Sequence, residues 1–372
     1  MCFIDYVIVV RLDNMNSKKH FEIENAVFYK GKLYFVGVDT NILFCFDIEN
    51  EKVSYVMTLE EEPKHVLYRN CVLYEDCMWL IPWAAERIAC VYLNENKIVY
   101  YDIEFRNVTC LNEKHADCAY YYTYKLSDSQ IIAVPRKYDK PMIIDMAEKK
   151  ISFLDMEYDN NKILFITGYK IDSKLYFVPD VGENILTYDL DSNKTGKIED
   201  NFLKGLYEGA MDDGEYIWFA PRNSEYIIKL DKEKKQIKKI KYDRNGDESF
   251  WEIIKKNEIL YIIPRSGERI LLYDNQKKAF DSICLNDKKI GARCIDMQNG
   301  FWVTELIDKQ LLNVACNQIY TPSIDYAEYV KFWKKIVDSN SKEYLKKTYF
   351  NNQVTKEDVF PLSAFVDFVT KE

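Results

Sequence analysis

The stretch Lys174–Lys194, KLYFVPDVGENILTYDLDSNK, is one copy of a unit that recurs along most of the chain. Pro179 is its anchor. Four apolar residues, Leu175, Tyr176, Phe177 and Val178, lead into the proline, and Asp189 follows ten residues after it. Matching anchors are Gly37, Pro82, Pro135, Pro221, Pro264 and Glu305, at spacings of 41 to 53 residues. Ten residues on stand Asp47, Tyr92, Asp145, Asp231, Asp274 and Ala315. Three residues before the anchors stand Tyr34, Trp79, Ile132, Tyr176, Trp218, Tyr261 and Trp302. Chance does not hold that register over seven copies, and a period near 40 residues marks an array of supersecondary units.

Each unit reads as strands. Ile217-Trp-Phe-Ala220 and Leu260-Tyr-Ile-Ile263 are too short for helices and rich in β-branched and aromatic residues. They are apolar on both faces, as strands packed between neighbouring sheets must be. Proline ends such a strand because it lacks the N–H that a central ladder needs. A short turn leads to a second strand, Ile185 to Tyr188. Asp189 then opens a tight turn by offering its carboxylate to backbone N–H groups just beyond it. Lys52, Lys97, Lys150 and Lys194 begin an outer, charged edge strand. With one more strand before each apolar run, the unit has four.

Four-stranded units at this period resemble β-propeller blades, over roughly residues 3 to 318. The resemblance is one of architecture. The Trp-Asp, kelch and Asp-box signatures of the well-known repeat families are absent. The expected fold is all-β: a seven-bladed β-propeller over 1–320, followed by a short α-helical extension over 321–372. A strand at residues 3–13 has no partner in its own repeat, and the last repeat lacks a clear outer strand. The two are expected to join and close the ring. Beyond Pro322, Tyr326, Tyr329, Val330, Trp333, Ile336 and Val337 recur at helical spacing, with Ser323 as N-cap. The aromatic face of this tail either packs on the propeller or serves a protein partner.

The composition narrows the function classes. A net charge of −9 argues against a general nucleic-acid or anionic-membrane surface. No stretch reads as a signal peptide or a membrane span, so the expected compartment is the cytoplasm. The ten cysteines are then reduced, and no CxxC spacing suggests zinc. Cys2, Cys45, Cys71, Cys90 and Cys316 sit in or beside strand runs, as buried small hydrophobes do. His20, His65 and His115 are the three histidines, and their positions do not suggest a metal site. No cofactor motif or nucleophile motif is present.

What the resemblance implies about a site is geometric. The innermost strands of a propeller line a central channel, and the loops entering them share a face with the turns after the anchors. Glu24, Arg69, Tyr122, Glu208, Glu252 and Arg293 stand where inner strands begin, with Thr167 in the fourth copy. Trp83, Arg136, Asp180, Arg222 and Arg265 stand just after anchors. Three Pro-Arg pairs brought around one axis can fork onto a planar anion, or the charges can pair with one another. Glu208 and Glu252 are the candidates for an acid/base pair. The expected function is a non-catalytic propeller binding a protein or small molecule, anionic or sugar-like, at the channel face. The alternative is a carbohydrate-active or other small-molecule enzyme using those carboxylates.

Overall fold

A computed structural model describes residues 18–325 apart from 39, 62–65, 104–117, 137, 139, 160–162, 200–201, 204, 285–291, 298–299, 306–308 and 315–317. Within these residues the repeat becomes seven four-stranded antiparallel sheets, each built from four strands consecutive in the chain. They form a seven-bladed β-propeller. The first strands of blades 1 to 7 are Val27–Tyr29, Tyr68–Tyr74, Tyr120–Lys125, Leu164–Ile171, Tyr207–Asp212, Ser249–Lys256 and Ala292–Met297.

The Asp turns account for much of the repeat's regularity. Asp47, Asp145, Asp189, Asp231 and Asp274 each accept the backbone N–H three residues on, at 2.8 to 3.1 Å. The residue after that adopts a left-handed conformation: Glu51, Lys149, Asn193, Lys235 and Lys278 all have φ near +50°. Asx-type bonding holds each turn in a geometry that a non-glycine residue adopts at a cost. The same backbone donors hold the carboxyls of Asp47, Asp145, Asp189 and Asp274 below their usual range.

The core lies between the blades, which explains strands that are apolar on both faces. Apolar clusters run around the ring. Val36 and Leu43 of blade 1 pack with Met78 and Leu80 of blade 2. Trp79 and Cys90 of blade 2 pack with Ala133 and Ile144 of blade 3. Blades 3, 4 and 5 share Val134, Phe177 and Phe219. Trp218 of blade 5 meets Phe250 and Ile262 of blade 6, and Ile263 meets Val303 of blade 7. Phe35 and Phe44 share a cluster with Trp302 and Tyr320, so blade 7 meets blade 1.

Closure differs from the sequence expectation. Blade 7 has an outer strand of its own, Gln318–Tyr320, paired with Gln310–Asn313. The expected strand at 3–13 lies outside the described residues. The chain ends around the ring are instead held by a separate two-stranded sheet, Lys18–His20 with Ser323–Asp325. Phe21 N also donates to Pro322 O at 3.0 Å. Ser323 is therefore a strand residue and not a helix N-cap, because its backbone is committed to His20. The expected helices beyond it lie outside the described residues. Among the described residues no helix is long and apolar enough to cross a membrane. Cys45 and Cys90 are buried and Cys71 is half-buried. Burial raises all three thiols above their usual range, which suppresses the reactive thiolate.

Candidate functional site

The site is built by a repeated irregularity. In five blades the first strand carries a β-bulge opposite the anchor proline. The flanking pairs are Tyr68 with Pro82, Tyr120 with Pro135, Phe165 with Pro179, Tyr207 with Pro221 and Phe250 with Pro264. In each case the register slips just after the aromatic residue. The unpaired residues are Arg69, Tyr121, Ile166, Glu208 with Gly209, and Trp251. A bulge adds a residue to one strand and re-aims its side chain. Repeated around a ring, it delivers arginine, tyrosine, glutamate and tryptophan to one level of the channel mouth.

Tyr121 escapes a fixed offset of thirteen residues before the anchor, which points to Tyr122; the same offset lands on Trp251, which the choice of Glu252 at twelve residues passes over. The available signal is the aromatic residue immediately before each bulge: Tyr68, Tyr120, Phe165, Tyr207 and Phe250. Tyr122 itself bridges the mouth. Its hydroxyl donates to Ala210 O at 2.7 Å and accepts from Ala210 N at 3.2 Å, tying blade 3 to blade 5.

The three Pro-Arg arginines do converge, but on protein carboxylates. Arg136 donates through Nη2 to Asp180 Oδ2 at 2.9 Å and through Nη1 to Phe165 O at 3.2 Å. Arg222 donates to Asp180 Oδ1 at 2.7 Å, and its Nε lies 3.8 Å from Glu208 Oε2. Arg265 donates to Glu208 Oε2 at 2.6 Å. Glu208 Oε1 accepts the Tyr121 hydroxyl at 2.6 Å. The result is a chain of alternating charge across blades 3 to 6. Burial opposes ionisation of Asp180, yet Arg136 and Arg222 overcome it and hold the carboxyl below its usual range. Burial and the Glu208 charge push the Tyr121 phenol up, so it remains a donor. With both oxygens engaged and 3 % exposed, Glu208 is a structural hub and is poorly placed for proton transfer.

Arg69 is the exception among the four guanidiniums. It sits 4.3 Å from the Trp83 ring centroid, 5.5 Å from that of Tyr121 and 5.7 Å from that of Trp251. Its Nε lies 3.5 Å from Glu24 Oε2 but is buried without a hydrogen bond. Among the described residues its terminal nitrogens make no hydrogen bond to the protein. Aromatic faces thus hold the cation in place while leaving its donors unused.

Glu252 completes the constellation. Its Oε2 accepts the Cys294 N–H of blade 7 at 2.8 Å. The residue is half-buried, and protein surrounds its carboxyl. Desolvation pushes it up to about 7, against the pull of the Cys294 N–H and the Arg69 charge and with the help of Glu208 and Glu24. Gly209 lets it sit there: a Cβ at this position would collide with the Trp251 carbonyl oxygen and come within 3.0 Å of the Glu252 Cα. Arg293 lies beside Cys294 on the first strand of blade 7, and its side chain lies outside the described residues. Among the described residues no group of three His, Cys, Asp or Glu side chains is arranged to hold a metal ion.

No protein-family model matches the chain, and no curated protein sequence matches it. Solved structures do. A catalytically inactive variant of virginiamycin B lyase from Staphylococcus aureus, solved with quinupristin, superposes with a TM-score of 0.57 at 14% identity, over 82% of this chain and 97% of the other. A streptogramin B lyase gives 0.58 at 12% identity, over 80% of this chain and 97% of the other. The Swd1 β-propeller domain from Myceliophteria thermophila gives 0.55 at 10% identity, over 79% of this chain and 97% of the other. Two are lyases and one is a propeller domain of another kind. At these identities the likeness is one of fold, and fold does not carry activity with it. The fold class is that of a module that gathers residues from seven blades around one mouth, an architecture suited to binding in general.

Proposed function

We propose that the chain is a non-catalytic binding module whose channel mouth takes a small anionic ligand. The observation that carries this reading is Arg69: a guanidinium fixed by three aromatic rings with its terminal donors unused. A cation held in a partly desolvated mouth gains much from a partner, since charge-assisted hydrogen bonds are the strong ones. The neighbouring Arg136, Arg222 and Arg265 support the mouth through their internal carboxylates rather than by gripping the ligand. They keep the local field positive in a protein of net charge −9.

The enzymatic alternative has one observation in its favour. Glu252 is poised near neutral pH, where general acids work best. Its intended partner Glu208 is tied to Tyr121 and Arg265, which favours the binding reading.

The test is calorimetric titration with benzoate, glucuronate and phenyl phosphate against the wild type and Arg69→Met. Binding in the wild type that weakens about 10- to 100-fold in the variant supports the reading, at about 1.5 to 3 kcal/mol for one charged contact. Equal affinity in both proteins, or turnover of a glycoside substrate that Glu252→Gln abolishes, overturns it.

A further inference from the structure

We propose that the outer strand of blade 5, Ile237–Lys241, is a docking edge for an extended acidic segment of a partner protein, which pairs with it as a fifth strand of the blade. The edge lies on the rim of the ring, away from the mouth, and the inference does not rest on the anion-binding reading.

The first observation is a local reversal of charge. Residues 229–244 carry eight basic side chains against three acidic ones, in a chain of net charge −9. In blades 1 to 4 the outer strand opens on a lysine: Lys52, Lys97, Lys150 or Lys194. Blade 5 has Gln236 at that place and sets Lys238, Lys239 and Lys241 inside the strand instead. Lys241 pairs with Glu225 at 3.0 Å. Among the described residues Lys238 and Lys239 form no ion pair. A lysine at an edge guards it against a neutral strand. Three of them within one short strand make the guard selective, because an acidic strand relieves their repulsion and a neutral one does not.

The second observation lies within the sheet. Lys229 and Lys238 stand directly opposite each other on neighbouring strands, where like charges destabilise. Lys229 also opposes Trp218, which lies in the cluster between blades 5 and 6, so all three side chains share the face towards blade 6. The Lys229 ammonium lies 3.4 Å from the Tyr216 ring centroid and 4.8 Å from that of Trp218. It forms no ion pair among the described residues. Burial lowers this ammonium below its ordinary range, and the Lys238 and Lys255 charges add to that against the pull of Asp213 and Glu215. The two lysines repel each other across one strand pair. A carboxylate beside Lys238, at the next strand position, offsets part of that repulsion.

The third observation is the edge itself. Asp231 N donates to Gln236 O at 2.9 Å, and Tyr242 N donates to Glu225 O at 3.1 Å. Antiparallel pairing alternates, so the even-numbered residues between them bond to the strand Tyr226–Asp231. Ile237, Lys239 and Lys241 then turn their N–H and C=O groups to the open side. Ile237 is 41% exposed and Ile240 is half-buried. An added antiparallel strand therefore places acids opposite Lys241, Lys239 and Lys238 and apolar residues opposite Ile240 and Ile237. In order, that is Glu-Val-Glu-Glu-Val. Main-chain bonds supply affinity and the alternate side chains supply specificity. A nucleic acid has no backbone that continues a sheet, and its length would carry it beyond the patch onto an acidic protein.

The experiment uses the full chain and a dye-labelled, end-blocked peptide with Glu-Val-Glu-Glu-Val at its centre, followed by fluorescence anisotropy. The expected result is saturable binding that weakens between about 50 mM and about 300 mM salt. It should fall about tenfold in Lys238→Glu/Lys239→Glu. Lys238→Gln/Lys239→Gln, the milder change, should fall in between, and circular dichroism reports whether each variant keeps its fold. Lys194→Glu/Lys197→Glu, on the outer strand of blade 4, should bind as the wild type does. A peptide of the same charge with alternate backbone nitrogens methylated should not bind. Equal binding of the methylated peptide overturns the inference, because no strand is then added. So does tighter binding of an oligothymidylate of equal charge, because the patch then reads charge alone. Peptide binding that Arg69→Met weakens and the lysine variants do not places the acid at the mouth and overturns it as well. Self-association of the wild type that the lysine variants abolish makes the occupant a second copy and not an acidic partner. No binding of the peptide at millimolar concentration removes the edge site and leaves the reading of the mouth standing.

Discussion

Arg136 of blade 3 reaches Asp180 of blade 4 at 2.9 Å, and its side chain is only 2% exposed. The pair links two blades at the mouth, and Arg222 of blade 5 joins it through the other oxygen of Asp180 at 2.7 Å. Removing a partner from a buried ion pair costs far more than the pair contributes, because a charge is left unmatched. Asp180→Asn should therefore destabilise the fold by about 3 to 5 kcal/mol, read as a lower urea midpoint at unchanged slope. The Lys125–Asp128 pair is just as short at 2.8 Å but lies in water. Asp128→Asn should leave the midpoint unmoved. Equal effects from the two variants would show that burial does not set the importance of the Asp180 cluster.

Gly209 makes a prediction of a different kind. Its φ is ordinary, so conformational freedom is not the reason for glycine. The reason is space: a Cβ would run into the Trp251 carbonyl of the next blade and crowd the Glu252 Cα. Gly209→Ala must push the first strands of blades 5 and 6 apart, an overpacking cost of about 1 to 3 kcal/mol. Trp251 and Glu252 move with that strand, so anion affinity should fall as well. Chemical denaturation and the benzoate titration check the two halves separately. Unchanged stability would mean that the strands separate freely at this point.

The architecture was legible because its causes are local. Tyr176, Pro179 and Asp189 each do one job within a unit, and the unit repeats, so seven copies reinforce a weak signal. The site was only half legible. Counting back from the anchors finds Glu24, Arg69, Glu208 and Glu252, but the bulges that aim the side chains are a property of strand pairing. Blade 3 bulges one residue further from its anchor, at Tyr121, so a fixed offset lands on Tyr122. Which arginines remain available depends on carboxylates in other blades, such as Asp180 for Arg136. Nothing near Arg69 in the chain marks it as the one whose guanidinium makes no hydrogen bond to the described residues. The outer strand Gln318–Tyr320 is three residues long, too short to stand out from a loop.

Ring closure rests on contacts made by few residues. Ile324 is 4% exposed and lies in the cluster that holds Phe21, Phe35 and Trp302 together. It belongs to the two-stranded clip that joins the segment before blade 1 to the segment after blade 7. Ile324→Ala removes buried methyl and methylene groups at that seam and should cost about 2 to 4 kcal/mol. Limited proteolysis should then cut first in or beside blades 1 and 7, since a propeller opened at its seam exposes those edges. A first cut in blades 3 to 5 would place the weak point elsewhere.

Glu252 links the mouth to pH even without a ligand. Its carboxyl sits at about 7 in the folded chain, against an unperturbed value of 4.5. Below 4.5 the folded and unfolded chains both hold the proton, so Glu252 contributes no pH dependence there. Between 4.5 and 7 the unfolded chain releases the proton while the folded one keeps it. Stability must therefore fall as pH rises through this window, by up to 1.4 kcal/mol per unit. Above about 7 both forms are ionised and the loss is complete, at about 1 to 3 kcal/mol once the partial exposure of the residue is allowed for. Glu252→Gln removes the titration and keeps the shape. The variant should gain on the wild type between pH 5 and pH 8, and the gain should appear as a difference in urea midpoints measured at the two pH values. A midpoint difference that stays constant from pH 5 to pH 8 would mean that Glu252 titrates in the folded chain as it does in the unfolded one, and the buried acid at the mouth would have to be given up.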